Sequence, residues 1–372
     1  MHTNWRLIWA LYAAGLLAGA QFAKIALTLG ALSAQWPGAP VTIAVSALSI
    51  MGVVFGVAAG VIAALFGPAR VLLAGLLASS ILSGIQAFLP PFWVFLGLRL
   101  LEGAAHLAIV VAAPALIAGA AIGADRPVAM GLWGTFFGVS FALTAAVSGL
   151  LPEPGALYLA HAGGMLAVLV WLRPQLSRGF DGVRERLDFL RRHVDVYGNA
   201  RRIAPALCFV FHTMMFLGIL TFLPRFVGGW TAPVLPLVAI LGTFAAGVLS
   251  RRIAPWRVTV LGYLLSAVGL GLLVLAPEAW RGIAAMPVMV ILGIPPGSAF
   301  ANVTALNESA GDQARATGAM AQLGNVGTAL SVPLFATVLW AGLPGLVALA
   351  AVLSVVAAGV VWLIHRNLAQ TA

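Results

Sequence analysis

Val258 to Leu275, VTVLGYLLSAVGLGLLVL, carries no charged side chain on any face. A hydrocarbon core of about 30 Å takes roughly 20 apolar residues per helical crossing, and a spanning β-strand alternates polar and apolar instead. The stretch therefore predicts a helix that crosses a bilayer. Eleven further apolar runs predict the same, at about 6–29, 41–66, 71–88, 93–119, 128–150 and 156–172, then 204–226, 233–250, 283–304, 316–340 and 344–364. The whole chain of 372 residues is 62% hydrophobic and 8% charged, where soluble domains are about 25% charged. The fold class expected is all-α and integral to the membrane, with twelve transmembrane helices.

The spans fall as six plus six. Between them lies the one long polar segment, residues 173–202, with eight Arg against Asp181, Glu185, Asp188 and Asp195. The expected organisation is an N-terminal six-helix bundle over 1–172, a cytoplasmic linker over 173–202 and a C-terminal six-helix bundle over 203–372. Within the linker, Val183, Leu187, Leu190 and Val194 recur at helical spacing and predict an amphipathic helix on the inner membrane surface. The chain also repeats itself. Gly60-Val61-Ile62-Ala63-Ala64-Leu65-Phe66-Gly67-Pro68-Ala69-Arg70-Val71 pairs with Gly247-Val248-Leu249-Ser250-Arg251-Arg252-Ile253-Ala254-Pro255-Trp256-Arg257-Val258 at an ungapped offset of 187, which also pairs Asp125 with Asp312. Duplicated halves of this kind are a transporter architecture.

The net charge of +10 is distributed by topology. With both termini cytoplasmic, sixteen of the twenty Lys and Arg fall inside and only Arg225 and Arg281 outside, in line with the positive-inside rule. The basic excess then faces membrane lipids, not nucleic acid. The N-terminal run with Ala18-Gly19-Ala20 reads as the first span and not as a cleaved signal. The single Cys208 offers neither a disulfide framework nor a thiolate metal cluster, and no cofactor or metal site is expected.

Enzyme motifs are missing. The only lysine, Lys24, follows Ala23, so no phosphate-binding G-K-[ST] loop exists; no His precedes Glu, and no Ser lies in G-x-S-x-G. The expectation is a non-enzyme driven by an ion or solute gradient.

These features resemble the major facilitator superfamily over the whole chain. The loop after span two keeps Gly60, Gly67 and Arg70 of the family's G-x-L-A-D-R-x-G-R pattern, with Ala64 in place of the acid; the second copy keeps Gly247, Leu249, Arg252 and Arg257. Arg99-Leu100-Leu101-Glu102-Gly103 is similar to the family's R-x-x-x-G signature in span four. The resemblance implies two six-helix bundles working by alternating access, a gating set of Gly60, Gly67, Arg70, Asp125, Gly247, Arg252, Arg257 and Asp312, and a cavity lined by spans one, four, seven and ten. Span five lacks the G-P-x-x-G-G of proton-driven drug exporters, which lowers the weight of drug export.

Ionisable side chains inside spans are costly and by default functional. They are Lys24, Arg99, Glu102, His106, His161 and His212. Arg99, Glu102 and His106 stand three and four residues apart on one helix face, and Glu102 is the only acid in any span. The expected roles are proton coupling for Glu102 and His106 and substrate binding for Gln21, Lys24, Arg99, His212 and Asn302. Lys24 stands near the outer end of span one, within snorkelling reach of headgroups. His161 reads as structural, Gln322 and Asn325 as interhelical hydrogen-bonding residues, and Pro295-Pro296-Gly297 as a break in span ten. Glycines four apart, Gly52, Gly56 and Gly60 in span two and Gly134 and Gly138 in span five, serve close helix packing or a rocking surface.

The function expected is secondary active transport of a small polar or anionic organic solute across a bacterial inner membrane, proton-coupled, by a monomer. Efflux of hydrophobic compounds and a non-transporting receptor or scaffold are the alternatives.

Overall fold

The computed structural model describes residues 2–122, 125–176, 194, 196–308 and 310–370. All regular structure among them is helical, and the chain forms two compact units, residues 1–187 and 188–372. The predicted linker helix lies mostly on 177–193, outside the described residues.

In the first unit the helices are α1 (Trp5–Gln35), α2 (Val41–Phe66), α3 (Pro68–Gln86), α4 (Phe92–Ala120), α5 (Asp125–Gly134), α6 (Phe136–Leu150) and α7 (Pro154–Leu176). In the second the longer helices are α8 (Ala200–Phe222), α9 (Val234–Leu249), α10 (Pro255–Leu275), α11 (Arg281–Leu292), α12 (Ile294–Leu306), α13 (Ala310–Ala336) and α14 (Gly342–Gln370). The twelve predicted spans thus appear as nine unbroken helices and three interrupted ones: α5/α6, α11/α12, and span seven, where α8 is followed after Leu223 by a four-residue helix over Pro224–Val227. Among the described residues, eight spans meet the length and hydropathy needed to cross a membrane, and α6 and α9 are shorter apolar helices.

Local chemistry sets the helix ends. Asn4 accepts the Leu7 amide at 3.1 Å, and Asn199 accepts the amides of Arg201 and Arg202, satisfying donors that open a helix. Pro68 and Pro255 each begin a helix where their missing N–H is not needed. The Gly67 turn before Pro68 has φ +83°, a conformation that favours glycine. Span five breaks at Thr135, whose hydroxyl bonds the Leu132 carbonyl at 2.8 Å and the Tyr12 hydroxyl at 2.8 Å. Span ten breaks at Gly293, just ahead of Pro295 and Pro296, and its carbonyl is taken up by the Thr243 hydroxyl at 3.1 Å.

Each predicted pair of repeats has matching neighbours. In the first unit α1 packs on α4, α6 and α7, α3 on α4 and α7, and α2 on α4. In the second α8 packs on α12, α13 and α14, α10 on α11, α12 and α14, and α9 on α11 and α12. Pro68 and Pro255, at the starts of α3 and α10, stand 187 positions apart. Helix crossings are close: a Cβ on Gly103 would collide with the Leu48 carbonyl, and Cβ atoms on Gly242 and Gly293 would collide with the carbonyls of Val290 and Ala239. By contrast nothing among the described residues lies within 4 Å of a Cβ built on Gly134, so close packing does not require a glycine there.

The first unit's apolar core joins Leu11 and Ala14 of α1, Leu72 and Leu76 of α3, Ile109 and Leu116 of α4 and Leu172 of α7. On the perimeter, Leu143, Leu150, Leu272 and Leu275 are exposed, the apolar exterior that lipid requires.

Candidate functional site

Four helices of the first unit enclose a charged cluster in the interior of the bundle. Glu102 on α4 is its centre. One carboxylate oxygen receives the Lys24 ammonium of α1 at 2.7 Å; the other receives an Arg99 guanidinium N–H from one turn earlier on α4 and the Gln86 amide of α3 at 2.8 Å. The side chains of Lys24, Arg99 and Glu102 are all fully buried. Arg99 is also held by the carbonyls of Ala44 at 3.1 Å and Gln21 at 2.9 Å, so each of its three nitrogens has an acceptor. Charges this deep persist only where they are paired and hydrogen-bonded. Here one anion serves two cations.

The cluster extends through neutral groups. His106 Nδ1 lies 2.8 Å from Gln21 Oε1, and the Gln21 amide donates to Ser79 at 2.8 Å. Phe22 meets the His106 ring edge to face at 5.2 Å. Lys24 donates to Ser83 at 2.8 Å and stands 5.1 Å from the centre of the Tyr158 ring. His161 on α7 turns Nδ1 to Ser83 at 3.0 Å and to Lys24 at 3.5 Å. Gln86 Oε1 is buried and has no hydrogen-bond partner among the described residues.

A cavity of about 250 Å³ adjoins this cluster between α1, α6 and α7. Its wall includes Lys24, His161, Ser140 and Thr144, with Leu143 and Leu157 among the apolar side chains.

Gln21, Lys24, Arg99, Glu102 and His106 thus come together. Lys24 does not reach towards headgroups: α1 continues to Gln35, so the lysine is interior and paired. His212 and Asn302 belong to the second unit. His212 stacks on Phe216 at 4.9 Å and Phe209 at 6.0 Å, and the Asn302 amide points to Cys208 Sγ at 3.5 Å. Gln322 accepts from the Tyr197 hydroxyl at 2.8 Å, whereas the Asn325 amide bonds within its own helix to Ala321.

Of the expected gating residues, Gly60 lies in α2, Gly67 caps it, Asp125 opens α5, and Gly247 lies in α9. Arg70, Arg252 and Arg257 are exposed, Arg257 lying over the Trp256 ring at 5.3 Å. Asp312 pairs with Arg202 at 2.8 Å and Arg315 at 3.2 Å.

Ser79, Ser83, Gln86 and His161 join the site without having been predicted. The signal was present in α3, where 79, 83 and 86 share a face at spacings of four and three in an apolar span. The second half repeats the scaffold without the charges. At the offset of 187, Lys24, Gln86, Arg99 and Glu102 meet Phe211, Leu273, Met286 and Met289. The cluster is therefore not a requirement of the helix architecture.

Residues 11–331 match the Major Facilitator Superfamily, and the chain belongs to that family. Its members are membrane transporters of small solutes and not enzymes, which fits the helical bundles with apolar exteriors described above. The fold is also that of a crystal structure of a bacterial homologue of the human lysosomal transporter Spinster, inward-facing and unoccupied; the two are 15% identical, with a TM-score of 0.77 over 100% of this chain and 99% of that one. No curated protein matches the sequence.

Proposed function

We propose that the protein is a proton-coupled secondary transporter of a small organic solute, polar or anionic, working as a monomer by alternating access. Residues 1–172 and 203–372 serve as its two halves and 173–202 as the linker, in a bacterial inner membrane with both termini cytoplasmic. The gating residues keep the roles that the family resemblance implies, and His212 and Asn302 are second-half candidates for substrate contact.

The observation that carries this reading is the buried carboxylate of Glu102, shared by Lys24 and Arg99, beside Gln86 Oε1, an acceptor without a hydrogen-bond donor among the described residues. A carboxylate so placed accepts from every neighbour. Once protonated, Glu102 becomes a donor and needs an acceptor, and a half-turn of the Gln86 amide presents Oε1 where Nε2 now stands. Protonation also leaves two buried cations without their anion. A substrate carboxylate restores the balance, with Arg99 offering a planar fork and Lys24 an ammonium. Proton uptake and anion binding then favour each other, the linkage a symporter needs. The many apolar side chains on the cavity wall support hydrophobic efflux as the second reading.

The test begins with thermal-shift screening of purified protein against carboxylates, amino acids, sugars and hydrophobic cations. A solute that stabilises is then taken into proteoliposomes. The expected hits are carboxylates, with Glu102→Gln abolishing accumulation driven by a pH gradient while counterflow continues. Accumulation at the wild-type rate in Glu102→Gln overturns the coupling, and stabilisation by hydrophobic cations alone overturns the cargo.

A further inference from the structure

The cavity beside the charged cluster is a cleft, with α1 as its floor and α6 and α7 as its sides. Both of those helices pack on α1, and among the described residues they hardly touch each other. On the α7 side Ala160 supplies only a methyl group towards closing the gap. The rim is apolar and continuous with the perimeter of the bundle. Leu143 and Val147 of α6 and Ala160 of α7 border the cleft and are exposed, as are Leu150 further along α6 and Leu159 and Leu166 on α7. These are the outward faces that lipid touches.

Each polar side chain on the wall is already bonded inside the protein. The Ser140 hydroxyl donates to the Leu16 carbonyl and the Thr144 hydroxyl to the Ser140 carbonyl at 2.8 Å, while His161 Nε2 lies 3.0 Å from the Leu17 carbonyl. The Lys24 ammonium is turned to Glu102 and Ser83, at 2.7 and 2.8 Å. A buried water needs about two to four polar partners, and these are engaged elsewhere. An empty cleft is no better, because walls around a void lose packing contacts on one side. An apolar cavity of about 150 Å³ already takes up benzene, and this one measures about 250 Å³. Lipid tails are as apolar as leucine, so moving one in from the bilayer brings no hydrophobic gain. The gain is the filled void.

We propose that the cleft between α6 and α7 is a binding site for one acyl chain of a membrane phospholipid, which enters sideways between Leu143, Val147 and Ala160 and lies against Leu16, Leu17 and Ala20 of α1. Phospholipid is the occupant because the rim opens onto the bilayer, where its chains outnumber every solute. The chain supplies the packing that α6 and α7 do not give each other. It also keeps hydrocarbon instead of water beside Lys24 and His161, so the Lys24 and Glu102 pair stays in a medium of low dielectric constant, where its hydrogen bond is stronger.

The experiment uses the full-length protein in vesicles of phosphatidylethanolamine and phosphatidylglycerol, with a trace of phosphatidylethanolamine that carries a diazirine midway along one acyl chain. Illumination is followed by peptide mass spectrometry. In the wild type, adducts should appear on Leu16, Leu17 or Ala20 at the floor of the cleft as well as on perimeter residues such as Leu166 and Leu272. Ala160→Phe fills the gap from the α7 side and Val147→Trp from the α6 side. Either should remove the floor adducts while the perimeter adducts stay, and each keeps the test open if the other folds poorly. Adducts confined to the perimeter in the wild type overturn the proposal, as does floor labelling that persists in a folded, filled variant. Loss of the floor adducts on addition of tetraphenylphosphonium overturns it too, since the cleft then takes a hydrophobic solute, as the efflux reading has it, in place of lipid.

Discussion

Glu102→Gln removes one charge and strands two. Lys24 Nζ lies 2.7 Å from the carboxylate, where unit charges attract by about 6 kcal/mol at an effective dielectric constant near 20. Desolvation offsets much of that attraction, yet removing one partner of a buried pair still costs about 3–5 kcal/mol, because the other charge stays buried without compensation. For a unit of 187 residues, this corresponds to a melting temperature lower by about 6–20 °C. The informative comparison is a chain carrying Lys24→Met, Gln86→Leu, Arg99→Met and Glu102→Met together. It gives the first half the apolar character that the second half already has at these positions, and replacing whole buried ion sets by apolar residues is neutral or stabilising by about 1–4 kcal/mol. The fourfold variant should therefore melt at or above the wild type and carry no solute. Thermal unfolding in detergent, followed by intrinsic tryptophan fluorescence, reads both. A Glu102→Gln protein melting within about 2 °C of wild type refutes the interdependence of the charges. A fourfold variant less stable than Glu102→Gln refutes the claim that the cluster is dispensable to the fold.

Three further outcomes follow from the packing. Gly242→Ala and Gly293→Ala should prevent accumulation of folded protein, since each Cβ meets a carbonyl oxygen, whereas Gly247→Ala, with nothing within 4 Å, should be neutral or stabilising by up to about 1 kcal/mol in size-exclusion and thermal assays. Arg99→Lys keeps the charge but gives up contacts to the Ala44 and Gln21 carbonyls, so it should lower stability by about 2–3 kcal/mol in the same unfolding assay. Asp312→Asn weakens pairs that are partly exposed, 15% at Arg202 and 31% at Asp312, and should cost about 1 kcal/mol or less; a larger loss would mark Asp312 as more than a local tie.

Much of the helix pattern was readable because its causes are local. Apolar runs set the spans, Pro68 and Pro255 mark helix starts, and Pro295-Pro296 marks the break in span ten. The break at Thr135 was missed because it depends on a hydroxyl bond to Tyr12, 123 residues away. The same division holds in the site. Arg99, Glu102 and His106 share a face by spacing alone, so their column was visible in the sequence. Lys24 was placed near the headgroups because span one was taken to end near residue 29, whereas α1 runs to Gln35 and leaves about three turns beyond the lysine. Its pairing with Glu102 across 78 residues has no local signature. His161 was read as structural because it lies outside spans one, four, seven and ten, which the family resemblance assigns to the cavity, and no periodicity tells a ring that seals a core from one that borders a pocket. Only the placement of α7 against α1 and α3 separates the two.

The separation of Lys24 from Glu102 also bears on how the chain is made. A ribosome adding about 5–20 residues per second delivers Glu102 roughly 4–16 s after Lys24, across an interval of 78 residues. Throughout that time the first span carries a lysine whose counter-ion does not yet exist, at an insertion cost of about 2.5–3.5 kcal/mol if it enters lipid alone. The first three helices therefore gain by staying beside the insertion machinery until the fourth arrives. Phe211 and Met289, at the corresponding positions of the second half, impose no such wait.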